Sequence, residues 1–365
     1  MTQDEKTGLS GWPLLILSGI IGGVSGVLAV LVSRWMTLYG GLDSPDKHGI
    51  SSVRACRLGG VLVFSYLFFF NIDHYWRLRE LMVSGIGVWL LALGTLFFMI
   101  GLFEDMKGTL SAKLRLGLMF AAVALILVLN RDLVIQPVGI RFIDWFMTQP
   151  WLAVPITLVS LVFLPNAFNV ADGANGLVGG ISLIVCVALG HTMLGDLNLL
   201  LDIVSVGCLI FLAYNLLTGK VFLGDGGAYF LGALVGGATI VASNIGDLPF
   251  WYLLSLIFYP VADFLWSIGR RMLLRQSPMV ADELHLHNLL YALFQQLLST
   301  QVRANTMTGL CIALVFSGLP YITWLLTNDS QLDWKWVFLL QWVVYACLWL
   351  TLRPKAVAVS LLNPE

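Results

Sequence analysis

Charge is what this sequence has least of. Only 11% of its 365 residues are Asp, Glu, Lys or Arg, under half the share usual in soluble globular chains. The 20 basic and 21 acidic side chains leave a net charge of -1, so no global basic field exists to gather nucleic acid. Cysteine is also scarce. The five (Cys56, Cys186, Cys208, Cys311, Cys347) fall mostly inside apolar runs, without metal spacing or a disulfide framework. The apolar stretches do not alternate with polar residues, which excludes a membrane β-barrel.

What the sequence has instead is hydrophobic length. Of all residues, 58% are hydrophobic and mean hydropathy is +0.87. A bilayer core takes about 20 apolar residues per helix, and runs of that order recur throughout. They predict an all-α integral membrane protein, one polytopic domain over residues 1–365, with about eleven transmembrane helices. The expected spans lie near 12–36, 58–71, 81–102, 114–130, 151–167, 176–195, 199–217, 226–243, 249–269, 304–327 and 333–352. The first is read as a retained helix rather than a cleaved signal, because no small-residue cleavage site stands out.

Lys and Arg accumulate in cytoplasmic loops. With the loop after the first span inside, 14 of the 20 basic residues are cytoplasmic; Lys6, Arg77, Arg79, Arg131, Arg141 and Lys335 are outside. This predicts a periplasmic N-terminus and a cytoplasmic C-terminus. The same assignment collects the chain's polar clusters in inside loops at about 37–57, 103–113, 167–176, 218–226 and 270–303.

Each cluster has a chemical reading and a plainer one. Asn166, Asn169, Asp172, Gly173, Asn175 and Gly176 sit within eleven residues. Their oxygens suit a hard cation, a sugar or a base edge, and glycine admits close backbone approach; an Asn/Gly turn is the plainer reading. Gly224-Asp225-Gly226-Gly227 opens a span after Lys220, either as a Mg²⁺ and phosphate site or as a helix N-cap. Glu104 and Asp105, followed by Lys113 and Arg115, suit phosphoryl transfer or are a solvated loop. His285 and His287 follow Arg270, Arg271 and Arg275 and suit pyrophosphate; no further Cys or His completes a zinc set. Asp43, Asp46, Lys47 and His48 lead to Arg57-Leu58-Gly59-Gly60, which alone reads as a turn into a helix. Asp263 is either an intramembrane acid with a partner or an interfacial one. Together the clusters place acids, amides and bases on one face beside lipid, as a metal, a polyphosphate and a lipid substrate would require.

In order and spacing, Asn166–Leu177, Phe222–Gly227 and His285-Leu286-His287 resemble the polyprenyl-phosphate N-acetylhexosamine-1-phosphate transferases of glycosyltransferase family 4, over about residues 10–350. The resemblance implies transfer of a sugar-1-phosphate, from a UDP-N-acetylhexosamine or a related 6-deoxy amino sugar, to undecaprenyl phosphate. UMP is released and Mg²⁺ is used, with Mn²⁺ as a substitute. It implies Asp225 and Asn169 as metal ligands. Asp105, Glu104, Asp172 and Arg115 are the implied catalytic groups. Asn175, Asn166, Lys113, Lys220, Arg57, His285 and His287 are the implied substrate contacts, Asn175 near uracil. Partners would be the lipid acceptor, the sugar nucleotide, the bilayer and a second copy in a homodimer, in the bacterial inner membrane. The chain departs from the family pattern at Glu104, where Asp is common, at Asn288, where His is common, and around His48 and Ser51. These departures favour an initiating enzyme of O-antigen or other envelope glycans over the phospho-muramoyl-pentapeptide transferase. A secondary transporter would carry ionisable groups near the midplane of repeated halves, and no internal repeat is evident. A catalytically inactive relative is the remaining rival.

Overall fold

The computed structural model describes residues 56–78, 85–193, 196–246, 248–275, 283–327 and 332–362, together with Val24. The expected first span and the Asp43–His48 cluster lie outside the described residues, apart from Val24. The regular secondary structure of the described residues is all helical; extended pairing among them is limited to one isolated parallel bridge between Cys56 and Val221.

Helices α1 (Gly59–Leu78), α2 (Gly85–Lys107) and α3 (Ala112–Leu129) come first. A short α4 (Arg141–Met147) and then α5 (Pro150–Ala171), α6 (Leu177–Gly190), α7 (Asp196–Thr218) and α8 (Gly224–Ile245) follow. The C-terminal part comprises α9 (Phe250–Leu256), α10 (Phe258–Leu273), α11 (Leu286–Leu297), α12 (Gln301–Ala313), α13 (Leu319–Thr327) and α14 (Trp334–Leu362). Among the described residues seven helices are long and apolar enough to cross a membrane, or eight if α9 and α10 form one bent span. The chain is therefore a multi-pass, all-α membrane protein. Helix α1 covers the place of the expected second span, and at the expected sixth span stands a shorter apolar helix, Leu177–Gly190.

Helix α8 is the axis of the bundle. Nearly every residue from Gly224 to Ala242 is buried, Asp225 excepted, and α1, α2, α5, α6 and α9 pack on it. Small residues make this close packing feasible. A Cβ on Gly101 of α2 would lie 2.5 Å from the Asp225 carbonyl and the Gly226 nitrogen. Glycine at 101 thus brings the end of α2, with Glu104 and Asp105, against the start of α8.

The expected span at 249–269 is broken. Helices α9 and α10 meet at Ile257 with a 77° bend. A break inside apolar surroundings frees carbonyls that need donors. Ser317 Oγ donates to the Leu256 carbonyl (2.6 Å), and Gln341 Nε2 donates to the Ser255 carbonyl (3.1 Å). Ser317 itself lies in a π-helical turn, Leu314–Gly318, between α12 and α13. The 270–303 loop also contains structure the sequence did not suggest: α11 follows His285 directly, and α12 begins with Thr300 as N-cap, its side chain accepting from the Arg303 N–H.

Candidate active site

The polar centre forms where several helix ends meet. Asp105 lies in the last turn of α2, Arg115 in the first turn of α3, Asp172 at the C-cap of α5 and Asp225 in the first turn of α8. Ser111 caps α3 by accepting from the Leu114 N–H (3.3 Å), which starts the helix in time to turn Arg115 toward α8.

Asp105 accepts the first free amides of α8: the Asp225 N–H at Oδ1 (3.0 Å) and the Gly226 N–H at Oδ2 (2.8 Å). A helix start leaves four such N–H groups unpaired and carries partial positive charge, so this carboxylate from another helix locks α8 to α2. Asp225 in turn accepts from Arg115 Nη1 at 2.5 Å and from the Asn169 side chain. Asn169 also donates to the Tyr229 hydroxyl (3.2 Å). Glu104 accepts from the Leu110 N–H (2.9 Å) and stands 3.9 Å from Arg115. Burial raises the Asp172 carboxyl to about 8, with repulsion from Asp105 and Asp225 adding to it and Arg57 opposing it. Three carboxyl groups thus crowd one another, with Arg115 and Arg57 as the cations acting on them.

That crowding is the test of fit for a cation. Among the described residues no three His, Cys, Asp or Glu side chains already surround a metal position. A Mg²⁺ site of one carboxylate and one amide, completed by water and substrate phosphate, needs no such cage. Asp225 beside Asn169 supplies that donor set, and its excess of negative neighbours favours a positive ion there.

Other expected site residues are placed differently. Asn175 is 1% exposed. Its side-chain oxygen accepts from Asn215 (3.4 Å), its amide faces Thr306 (3.4 Å), and its backbone N–H donates to Asn305 (2.9 Å). Asn215 also accepts from the Gly176 N–H (2.6 Å). The Asn175 carboxamide ties the turn before α6 to α7 and α12. Asn166 donates to the Val162 carbonyl (2.8 Å) and faces the Met119 sulfur (3.3 Å), linking α5 to α3. Lys113 and Lys220 are exposed. The Arg57 carbonyl lies against Gly224. His285 and His287 are both buried. His287 Nε2 occupies the space where a Cβ on Gly173 would sit, beside Asp172, so the histidine segment does reach the carboxylate centre. Burial, first, and the neighbouring His285 hold His287 down at about 4, against the pull of Asp263.

Sequence reasoning missed Tyr229, Asn215, Asn305 and Tyr259, and left Asp263 undecided. Tyr259 and Asp263 stand four residues apart on α10, spacing that puts two polar groups on one helical face; that was the available signal.

A membrane-embedded helical bundle with a carboxylate, arginine and histidine centre at one end is the class that fold and site define. Comparison with known proteins makes this specific. The family model described as "Glycosyl transferase family 4" matches residues 88–243. The chain is 29% identical over 256 residues to the undecaprenyl-phosphate α-N-acetylglucosaminyl 1-phosphate transferase of Thermotoga maritima, covering 68% of this chain and 72% of that one. It is 25% identical over 280 residues to a probable undecaprenyl-phosphate N-acetylglucosaminyl 1-phosphate transferase of Bacillus subtilis, covering 73% and 74%. It is 33% identical over 177 residues to the phospho-N-acetylmuramoyl-pentapeptide-transferase of Moorella thermoacetica, covering 47% and 54%. The chain is thus similar to glycosyl transferase family 4 over residues 88–243, and to polyprenyl-phosphate N-acetylglucosamine-1-phosphate transferases over about two thirds of its length.

Proposed function

We propose that this protein transfers an N-acetylhexosamine-1-phosphate, or a related 6-deoxy amino sugar-1-phosphate, from a UDP-sugar to undecaprenyl phosphate and releases UMP. The observation that carries this reading is the meeting of Asp105, Asp172 and Asp225 with Arg115 at one end of the bundle. The names of the relatives agree with it. The reaction would initiate O-antigen or another envelope glycan at the cytoplasmic face of the bacterial inner membrane. The full topology on this reading has eleven spans with the N-terminus periplasmic, and the protein works as a homodimer.

The chain's own groups divide the work. Asp105 holds the start of α8, so it fixes Asp225 rather than meeting substrate alone. Arg115 and Arg57 neutralise phosphate charge, and Glu104 keeps Arg115 in reach. Asp172, beside Asp105 and Asp225, would steer the acceptor phosphate, which attacks as its anion. The acceptor oxygen then attacks the β-phosphorus of the donor, and the bond to the UMP phosphate breaks. Positioning and charge neutralisation supply most of the catalysis in such transfers. Mg²⁺, or Mn²⁺ in its place, held by Asp225 and Asn169, would supply Lewis-acid stabilisation of the diphosphate. Lys113 and Lys220, exposed at the same end, would attract the anionic donor.

The test is exchange of labelled UMP into UDP-sugar in the presence of undecaprenyl phosphate. Exchange requiring the lipid supports the transfer. No exchange, together with solute uptake into proteoliposomes, would make the chain a transporter.

A further inference from the structure

A second buried polar cluster lies beside the carboxylate centre. Asp263 is 1% exposed. Its Oδ1 accepts the Leu286 N–H (3.0 Å) and the Tyr345 hydroxyl (2.8 Å), and its Oδ2 lies 2.5 Å from His285 Nδ1. A carboxylate ringed by donors takes a proton-bearing partner at each oxygen, so His285 meets it as Nδ1–H.

Tyr259, one turn earlier on α10, imposes the opposite arrangement on His287. Its oxygen accepts the His287 backbone N–H (3.2 Å) and lies 3.0 Å from His287 Nδ1. A phenol has one proton to give, and Nδ1 is the acceptor within reach. The proton of neutral His287 is then on Nε2, the nitrogen packed against Gly173. The two rings lie parallel, 5.4 Å apart, and burial keeps His287 neutral.

We propose that Asp263 and Tyr259 are positioning residues that set His285 and His287 in opposite tautomers, Nδ1–H and Nε2–H, and through His287 hold the Asp172–Gly173 turn in place. The catalytic part of this inference rests on the transfer reading; the tautomer part does not. The bend at Ile257 has a role here: it starts α10 where Tyr259 and Asp263 can face the chain entering α11. Trp349 Nε1 steadies that entry by donating to the Leu284 carbonyl (2.8 Å).

The experiment is ¹⁵N solid-state NMR of the full chain, labelled at histidine and reconstituted in liposomes. Signals are assigned with His285→Gln and His287→Gln. In the unsubstituted protein, His285 should be protonated at Nδ1 and His287 at Nε2 alone. Asp263→Asn should convert His285 to the Nε2–H form and lower UMP release about 10–100-fold, as loss of a group that orients a site histidine does, with the donor KM little changed. Tyr259→Phe should alter the His287 signals and leave His285 as it was. An Nε2–H form of His285 in the unsubstituted protein overturns the proposal, whether or not any variant folds. So does an Asp263→Asn protein with unchanged tautomers and turnover. Expected tautomers in a protein that releases no UMP with any donor support the tautomer assignment and contradict the transfer reading.

Discussion

At the scale of single residues, Asp225 is the point on which α2, α3, α5 and α8 converge. Arg115 donates to its side chain, Asn169 reaches it, and Asp105 holds its backbone. Asp225→Asn keeps the shape and removes the charge. It should lower turnover about 10²–10³-fold, the usual loss when one preorganised electrostatic group goes, as measured by initial rates across a Mg²⁺ series. His287 gives a prediction in stability. Its ordinary value of 6.5 falls to about 4 on burial. The unfolded chain therefore binds the extra proton first as pH falls. The stabilisation from neutral His287 is complete above about 6.5 and is lost between 6.5 and 4. Asp172 trends the other way, since its raised carboxyl binds a proton more readily in the fold. Comparing melting temperatures of unsubstituted and His287→Gln protein isolates the histidine: the gap between them should narrow as pH drops from 6.5 to 4. The residue types of the site were legible in the sequence because acids, amides and bases stand out in an apolar chain. Their separate duties were not. Asn175 and Asp225 look equally reactive on the page, yet one is enclosed by Asn215, Asn305 and Thr306 and the other faces Arg115.

At the scale of elements, the site depends on how closely α2 approaches α8. Gly101 sets that distance, because a side chain there meets the backbone of Asp225 and Gly226. Backbone cannot give way as a flexible side chain can. Gly101→Ala should therefore cost about 1–3 kcal/mol of stability, the range for overpacking a close contact. It should also lower turnover by moving Asp105 off the α8 amides. Melting in detergent and initial rates read the two effects, and Lys107, exposed near the end of the same helix, offers a control substitution. Element positions followed from hydropathy, which reports burial in lipid or protein alike. Direction did not. The run at 249–269 reads as one span, and its 77° bend depends on donors far along the chain, Ser317 and Gln341. Helix α11 was missed for a similar reason: its length of 12 residues and mixed polarity give no membrane signal, and its start is fixed by tertiary contacts of His285 and His287.

At the scale of the whole molecule, the bundle separates two needs. Helices such as α3 and α14 present apolar side chains outward, among them Leu125, Val128, Leu340 and Val343, as lipid contact requires. The buried α8 carries the charged centre at its first turn. On the proposed function, a lipid phosphate and a soluble sugar nucleotide would meet at that end of the protein while the acceptor's hydrocarbon stays in the bilayer. The measurement that tests this account most directly is UMP release by the purified protein in detergent, given undecaprenyl phosphate, Mg²⁺ and a panel of UDP-N-acetyl sugars. The account predicts release that needs both lipid and metal and favours one sugar. Folded protein that releases no UMP with any donor would contradict it.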